Sequence, residues 1–418
     1  MENTSAGYHT FSFYQKLKAD EYSELITDFR MYEIENKDVG SFPIKDKNGK
    51  IIGWEYFHKK DKGIRWLLLS STAPNGFFWQ GIAAIINPRA LIEKNYIAAA
   101  QEDDLEVVER IFNSEAAKIS PIIWRFGSCS LNRADFCLNI DLKELGIPCS
   151  PKEMITLIKR GNIPKRYKER TKYHEKYHRW ISDKNTFYLE SKSMNINYYW
   201  KFPQQENDAH PNFAFRKLSY NVIRFEVQYK YPKLYQLVKD IKENSKFSAS
   251  SLSPEELDEL FSSGIGYNPS IPIDVTLSSK VSDSVNRKHL AQIIGRGDYF
   301  TLDGARSIVE SYNYKRNKEE RLVKALELIN ECHGVAKAKA KLNGRDLTDF
   351  NRSLKDLDKI LVNPVTIPRR WNIVYIPNPM RAYDNSIYVE ELVPVQEHIA
   401  RQHIIEFLSE RARYEDYS

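Results

Sequence analysis

Three separated stretches of this chain alternate apolar and polar side chains, and that alternation limits its possible folds more than any other feature. Side chains at i, i+2 and i+4 of an extended backbone share one side. Over Asn132–Asp141, Ala134, Phe136, Leu138 and Ile140 fall on one side, and Arg133, Asp135, Cys137, Asn139 and Asp141 on the other. Over Met194–Lys201, Met194, Ile196, Tyr198 and Trp200 oppose Asn195, Asn197, Tyr199 and Lys201. Over Val222–Gln228, Ile223, Phe225 and Val227 oppose Val222, Arg224, Glu226 and Gln228. Each stretch reads as a strand with a buried face. Set side by side, the three form one polar sheet face that carries three carboxylates, a tyrosine, a lysine and two arginines.

Such a face has an ordinary reading and a chemical one. Antiparallel sheets commonly turn one side to solvent and dress it with cross-strand Arg–Glu pairs. The same groups also suit phosphoryl transfer. Asp135 and Glu226 are hard oxygen donors for Mg²⁺ or Mn²⁺. Lys201 and Arg224 would offset the charge that develops on a pentacoordinate phosphorus. Tyr199 is a possible nucleophile once a base or metal activates it, because a free tyrosine has a pKa of about 10.

Around these strands the chain reads as α+β: a mainly antiparallel sheet with flanking helices, followed by a mostly helical C-terminal region. Strands are predicted at Ile64–Ser71 and Phe77–Ile86, divided by the turn Ala73-Pro74-Asn75-Gly76, with a helical segment over Ala90–Ile111 and a hairpin over Phe187–Trp200. Ser150-Pro151-Lys152-Glu153 is a capping box that starts a helix ending near Gly161. Three parts are expected. Residues 1–244 form a sheet-rich domain, and 245–275 a linker with a short helix capped at Ser253. Residues 276–418 form a helical domain, in which Leu322, Ala325, Leu326 and Ile329 repeat at helical spacing before Gly334 and a last helix spans about Val395–Arg411.

Composition removes several classes. With 42% hydrophobic and 12% aromatic residues, a chain of this length can build real cores. No apolar run approaches the roughly 20 residues of a membrane span. The N-terminus lacks a secretory pattern. Four cysteines without a CxxC pair make neither a disulfide framework nor a zinc ribbon. A cytoplasmic protein is expected.

Net charge is +6, but residues 152–184 alone hold 11 Lys/Arg against 4 Asp/Glu, a local +7. Lys159, Arg160, Lys165, Arg166, Lys168, Arg170 and Lys172 are the candidate DNA-contacting residues of this stretch. Tyr167, Tyr173, Tyr177 and Trp180 are interleaved as possible stacking rings. A solvated helix and loop with packed aromatics is the plainer alternative.

The ordered set LNRADF (131–136), INYYWK (196–201) and VIRFEVQ (222–228) resembles the phage/plasmid replication proteins of the II/X type, the filamentous-phage gene II family. The plasmid rolling-circle initiators of the Rep_trans group are more distant relatives. The resemblance covers about 100 residues directly. It implies an origin-specific nickase that attacks a DNA phosphodiester through a tyrosine, leaves a 5′-phosphotyrosine and a 3′-OH primer, and rejoins strands at termination. Tyr199 matches the nucleophile, Lys201 the lysine of that motif, and Asp135 and Glu226 the acidic positions, read as metal ligands, with Arg224 beside them. Asn132 stands where the family has Ser or Thr. Gln204 occupies the place of a family glutamate, with Glu206 two residues on. Origin DNA, single-stranded at the nick, is the implied partner. A host helicase and a second copy of the chain are further partners open to the C-terminal region.

Other constellations are weaker. His174 and His178 lack a third ligand nearby, no His-hydrophobic-His motif occurs, and Gly264-Ile-Gly266 and Gly295-Arg-Gly297 lack phosphate-loop spacing. A non-catalytic DNA-binding replication or copy-control factor is the alternative function.

Overall fold

The three alternating stretches pair with one another, and their partners extend them into a ten-stranded sheet. The computed structural model describes residues 4–46, 48–59, 62–72, 78–93, 97–174, 179–181, 183–206, 217–243, 271 and 273–387. Its strands are β1 (Ser5–Lys16), β2 (Val39–Lys45), β3 (Ile51–His58), β4 (Ile64–Thr72), β5 (Phe78–Ile86), β6 (Leu131–Asp141), β7 (Lys168–Glu169), β8 (Lys172–His174), β9 (Arg179–Ile181), β10 (Thr186–Glu190), β11 (Met194–Trp200) and β12 (Val222–Lys230). The large sheet runs β2-β3-β4-β5-β1-β6-β12-β11-β10-β7, and β8 and β9 pair separately. Neighbours in the large sheet are antiparallel. The fold is therefore α+β as expected.

One face of this sheet is the core. Ala134, Phe136, Leu138, Ile140, Ile196, Tyr198, Ile223, Phe225 and Val227 are all buried. Helix Ser279–Ile294 packs across β1, β6 and β12, helix Tyr231–Glu243 against β6 and β12, and helix Pro151–Lys159 against β10 and β11. At the start of the last of these, the Ser150 hydroxyl accepts from Glu153 N while the Glu153 carboxylate accepts from Ser150 N, the reciprocal cap that the sequence announces. The predicted helix over Ala90–Ile111 is instead a short turn of helix at Pro88–Leu91 and a longer helix at Leu105–Ile119. Leu105, Val108, Phe112, Ala116 and Ile119 give that longer helix its buried stripe.

In the C-terminal region, helix Arg316–Cys332 buries Leu322, Ala325, Leu326 and Ile329, then ends through left-handed His333. The turn 73–76, the capping box at Ser253, Gly264-Ile-Gly266, most of the 245–275 linker, the helix near 395–411, Tyr177 and His178 lie outside the described residues. No helix among the described residues is long and apolar enough to cross a membrane.

Two local irregularities shape the opposite, polar face. Between Tyr8 and Thr10, β1 slips by one residue against β6, so Tyr8 pairs with Phe136 and Thr10 with Asp135. A β-bulge of this kind re-aims side chains, and here His9 joins Thr10 on the polar side. The second irregularity is a crossing. Segment 97–101 lies close over β1, with Tyr8 N donating to Ala100 O at 3.1 Å and Ala100 N to Tyr8 O at 2.8 Å. Gly7 permits this approach, since a Cβ there would stand 2.1 Å from Ala100 O.

Candidate active site

Register places the expected residues in rows. Tyr199, Arg224 and Asn139 lie opposite one another across β11, β12 and β6; Asn197, Glu226 and Cys137 form the next row, and Asn195, Gln228 and Asp135 the third. Directly opposed residues share a face, so pairing brings Tyr199, Glu226 and Asp135 together as the alternation predicts. All three line one cavity of about 460 Å³ with His9, Arg133 and Arg65.

The Tyr199 side chain is buried, and its hydroxyl donates to Glu226 Oε1 over a long 3.4 Å. Burial and then the Glu226 charge push that hydroxyl well above the usual tyrosine range, while Arg224 pulls it back. Glu226 is the carboxylate that accepts its hydrogen bond. Burial opposes its charge, but His9, Arg224 and Lys201 together hold its carboxyl down at about 2. His9 Nδ1 lies 3.0 Å from the same Oε1. Burial, then the Arg224 charge, press the His9 imidazole down to about 4, and Nδ1 also lies 3.0 Å from Thr10 Oγ1.

Arg224 and Lys201 occupy a different position from the one their chemistry suggested. Neither is among the residues lining the cavity. Arg224 is fully buried, with Nε donating to Asn139 Oδ1 at 2.7 Å and a second nitrogen to the Ile97 carbonyl. The crossing segment is thus tied to the sheet through Arg224. Strand β11 stops at Trp200, so Lys201 opens helix Lys201–Glu206 and sets its ammonium 5.6 Å from the Tyr199 ring centre. Both cations act on Tyr199 and Glu226 from behind. Cations facing the cavity are Arg133 and Arg65.

Asp135 is buried in a pair with Arg133, whose Nε donates to Oδ1 at 2.9 Å while a second guanidinium nitrogen meets Oδ2. Burial nonetheless raises the carboxyl to about 6, with Arg133 working against that rise. No group of three or more His, Cys, Asp or Glu side chains among the described residues is arranged to hold a metal ion. Glu226 and His9 engage each other, and both Asp135 oxygens face Arg133. As they stand, these donors do not fit the Mg²⁺ or Mn²⁺ site that the motifs imply.

Sequence reasoning missed His9 because a bulge, not simple alternation, brings it to this face. Arg133 was legible on the polar side of its strand. Arg65 was not, since β4 reaches the cavity only through the order of the sheet. Tyr198, the neighbouring tyrosine, is fully buried on the apolar side against Phe225 and Phe187. Cys137 lies on the polar face yet is sealed, and burial pushes its thiol up to about 12, so it is no nucleophile.

The basic stretch divides. Lys165, Arg166, Lys168 and Arg170 are exposed, and Arg160 is half-buried. Arg170 faces Glu190 at 3.7 Å, and Arg166 bonds to Gln292. Lys159 donates to the Asp183 carbonyl at the cavity wall. Tyr167 is not a stacking ring: it is buried, and its hydroxyl meets Met194 Sδ at 3.5 Å. The backbones of Lys172, Tyr173, His174 and Trp180 lie in β8 and β9, and their side chains are outside the described residues.

Neither a family model nor a curated protein matches this sequence. Among solved structures the chain is similar to a rolling circle replication initiator protein from Geobacillus stearothermophilus. That match has 9% identity and a TM-score of 0.28, over 57% of this chain and 78% of that one.

Proposed function

We propose that this chain is a rolling-circle replication initiator that nicks origin DNA through Tyr199. The observation that supports it most is the Tyr199 hydroxyl set 3.4 Å from Glu226 in a polar cavity wide enough for a nucleotide. In this reading a phosphodiester lies in the cavity with its non-bridging oxygens toward Arg133 and Arg65. Tyr199 Oη attacks phosphorus as its proton passes to Glu226. The new Oη–P bond replaces the P–O3′ bond, and the departing 3′ oxygen takes up a proton to become the primer hydroxyl. Because phosphorus stays esterified, the reverse attack by a 3′-OH rejoins the strand. Arg224 steadies the phenolate character that grows on Tyr199. Lys201 holds Glu226 ionised beforehand.

The test is covalent capture. Protein incubated with a labelled single-stranded oligonucleotide carrying the origin is expected to form a protein–DNA adduct, and Tyr199→Phe to abolish it while DNA affinity survives. An adduct that persists in Tyr199→Phe refutes the assignment. DNA affinity with no adduct in the wild-type chain favours the non-catalytic DNA-binding reading instead. Running the reaction in EDTA and in Mn²⁺ separates the metal expectation from the tyrosine. A strict Mn²⁺ requirement would mean that Asp135 exchanges Arg133 for the ion.

A further inference from the structure

The helical region after residue 275 contributes cations to a surface that begins in the sheet domain. Val335 N donates to the Arg160 carbonyl at 2.9 Å, and Lys339 Nζ donates to Asn162 Oδ1 at 2.8 Å. Helix Val335–Ala340 is thereby docked on the turn that follows helix Pro151–Lys159. Gly334 makes the contact close, since a Cβ there would already stand 3.3 Å from Arg160 Cα. Lys339 then comes within the electrostatic range of Lys165, and Arg370 within that of Arg160. Burial and then Lys165 lower the Lys339 ammonium; burial and then Arg370 lower the Arg160 guanidinium.

None of these four cations pairs with a carboxylate among the described residues, although the neighbours on either side do. Lys341 meets Glu331 at 3.1 Å, and Arg369 meets Asp303 at 3.0 Å. A fold that neutralises adjacent cations and gathers four unneutralised ones leaves a positive potential suited to a polyanion. Lys159, the residue before Arg160, reaches toward the cavity and bonds to the Asp183 carbonyl at its wall.

We infer that Arg160, Lys165, Lys339 and Arg370 form a binding surface for the phosphate backbone of duplex DNA beside the active-site cavity. Duplex is favoured over single strand because sequence-tolerant single-strand sites stack bases on exposed rings. Among the described residues of this surface, Tyr167 is buried and Trp371 packs against the core. The inference rests on the reading of this chain as a DNA-acting protein, and its test is independent of nicking.

The experiment measures binding of a labelled duplex, and of one of its strands alone, by fluorescence anisotropy over a salt series. It compares the full chain with Lys339→Gln/Arg370→Gln and with the paired-cation control Lys341→Gln/Arg369→Gln. Each phosphate contact adds about 0.9 to the slope of log affinity against log salt for duplex. The first variant is expected to lower the duplex slope by about 2, leaving the single-strand slope and the Tyr199 adduct intact. The control is expected to leave both slopes in place. An unchanged duplex slope in the first variant, an equal loss in the control, or an equal loss on single strand each overturns the proposal. A lowered duplex slope in a chain that forms no adduct supports this surface and counts against the nickase reading alone.

Discussion

Replacing Gly7 by alanine tests whether the crossing of segment 97–101 over β1 organises the active site. A Cβ at position 7 would lie 2.1 Å from Ala100 O, 2.9 Å from Gln101 Nε2 and 3.1 Å from Ala99 Cβ. The Gln101 side chain can swing away, but the Ala100 carbonyl is backbone, and the two chains must part by about 1 Å to reach a normal contact. That displacement breaks both hydrogen bonds between Tyr8 and Ala100, now 3.1 and 2.8 Å long. Two backbone bonds lost at about 1 kcal/mol each, plus the penalty of groups left partly unsatisfied, sum to about 2–4 kcal/mol. The effect should propagate, because Ile97 O in the same segment accepts from both Asn139 and Arg224. Arg224 in turn restrains Tyr199. Urea unfolding followed by tryptophan fluorescence reads the first consequence, and the yield of covalent adduct on the origin oligonucleotide reads the second. Expected is a loss of about 2–4 kcal/mol together with an adduct yield at least tenfold lower. A variant within about 0.5 kcal/mol of wild type, with full adduct yield, would refute the structural reasoning from Gly7 to Tyr199.

Two further outcomes follow from burial. The Tyr198 hydroxyl is buried with no hydrogen-bond partner among the described residues, so Tyr198→Phe is expected to raise stability by about 1 kcal/mol and leave the adduct unchanged. A drop in adduct yield in that variant would point to Tyr198 as the nucleophile. For Asp135, the carboxyl sits at about 6 in the folded chain against 3.8 as its ordinary value. The folded state therefore holds this proton more tightly than the unfolded state between those values, and wild-type stability falls as pH rises through that window. Asp135→Asn should accordingly gain on wild type by up to about 3 kcal/mol between pH 4 and pH 6.5, and hold that gain above it. A difference that does not change over this range, in urea titrations at each pH, would show that Arg133 fully compensates the buried charge.

Much of the site was legible because strand stereochemistry is local. Asp135, Tyr199, Arg224 and Glu226 share a face once their strands are adjacent, and alternation alone put each of them on the polar side. What alternation does not carry is depth. Arg224 and Lys201 were expected to meet phosphate, yet both lie behind the cavity. Arg224 is drawn down by Asn139 and by a carbonyl of segment 97–101, more than a hundred residues away in the chain. The interleaved aromatics of the basic stretch raised the opposite problem. Tyr167 reads like a stacking ring in sequence, but in the loop just before β7 its ring turns into the core beside Met194.

By itself, then, the sequence determined the α+β class, the buried and polar sides of β6, β11 and β12, the cap at Ser150, and the four chemical groups of the polar face. All of these follow from interactions within a few residues. Only the tertiary structure decided that β12 stands between β6 and β11, that a slip at Tyr8–Thr10 adds His9 to the face, and that Gly7 lets another backbone cross there. It also brought Lys339 and Arg370 to the cations that follow Ser150's helix. Those outcomes depend on register and close approach between distant segments, which side-chain periodicity does not encode.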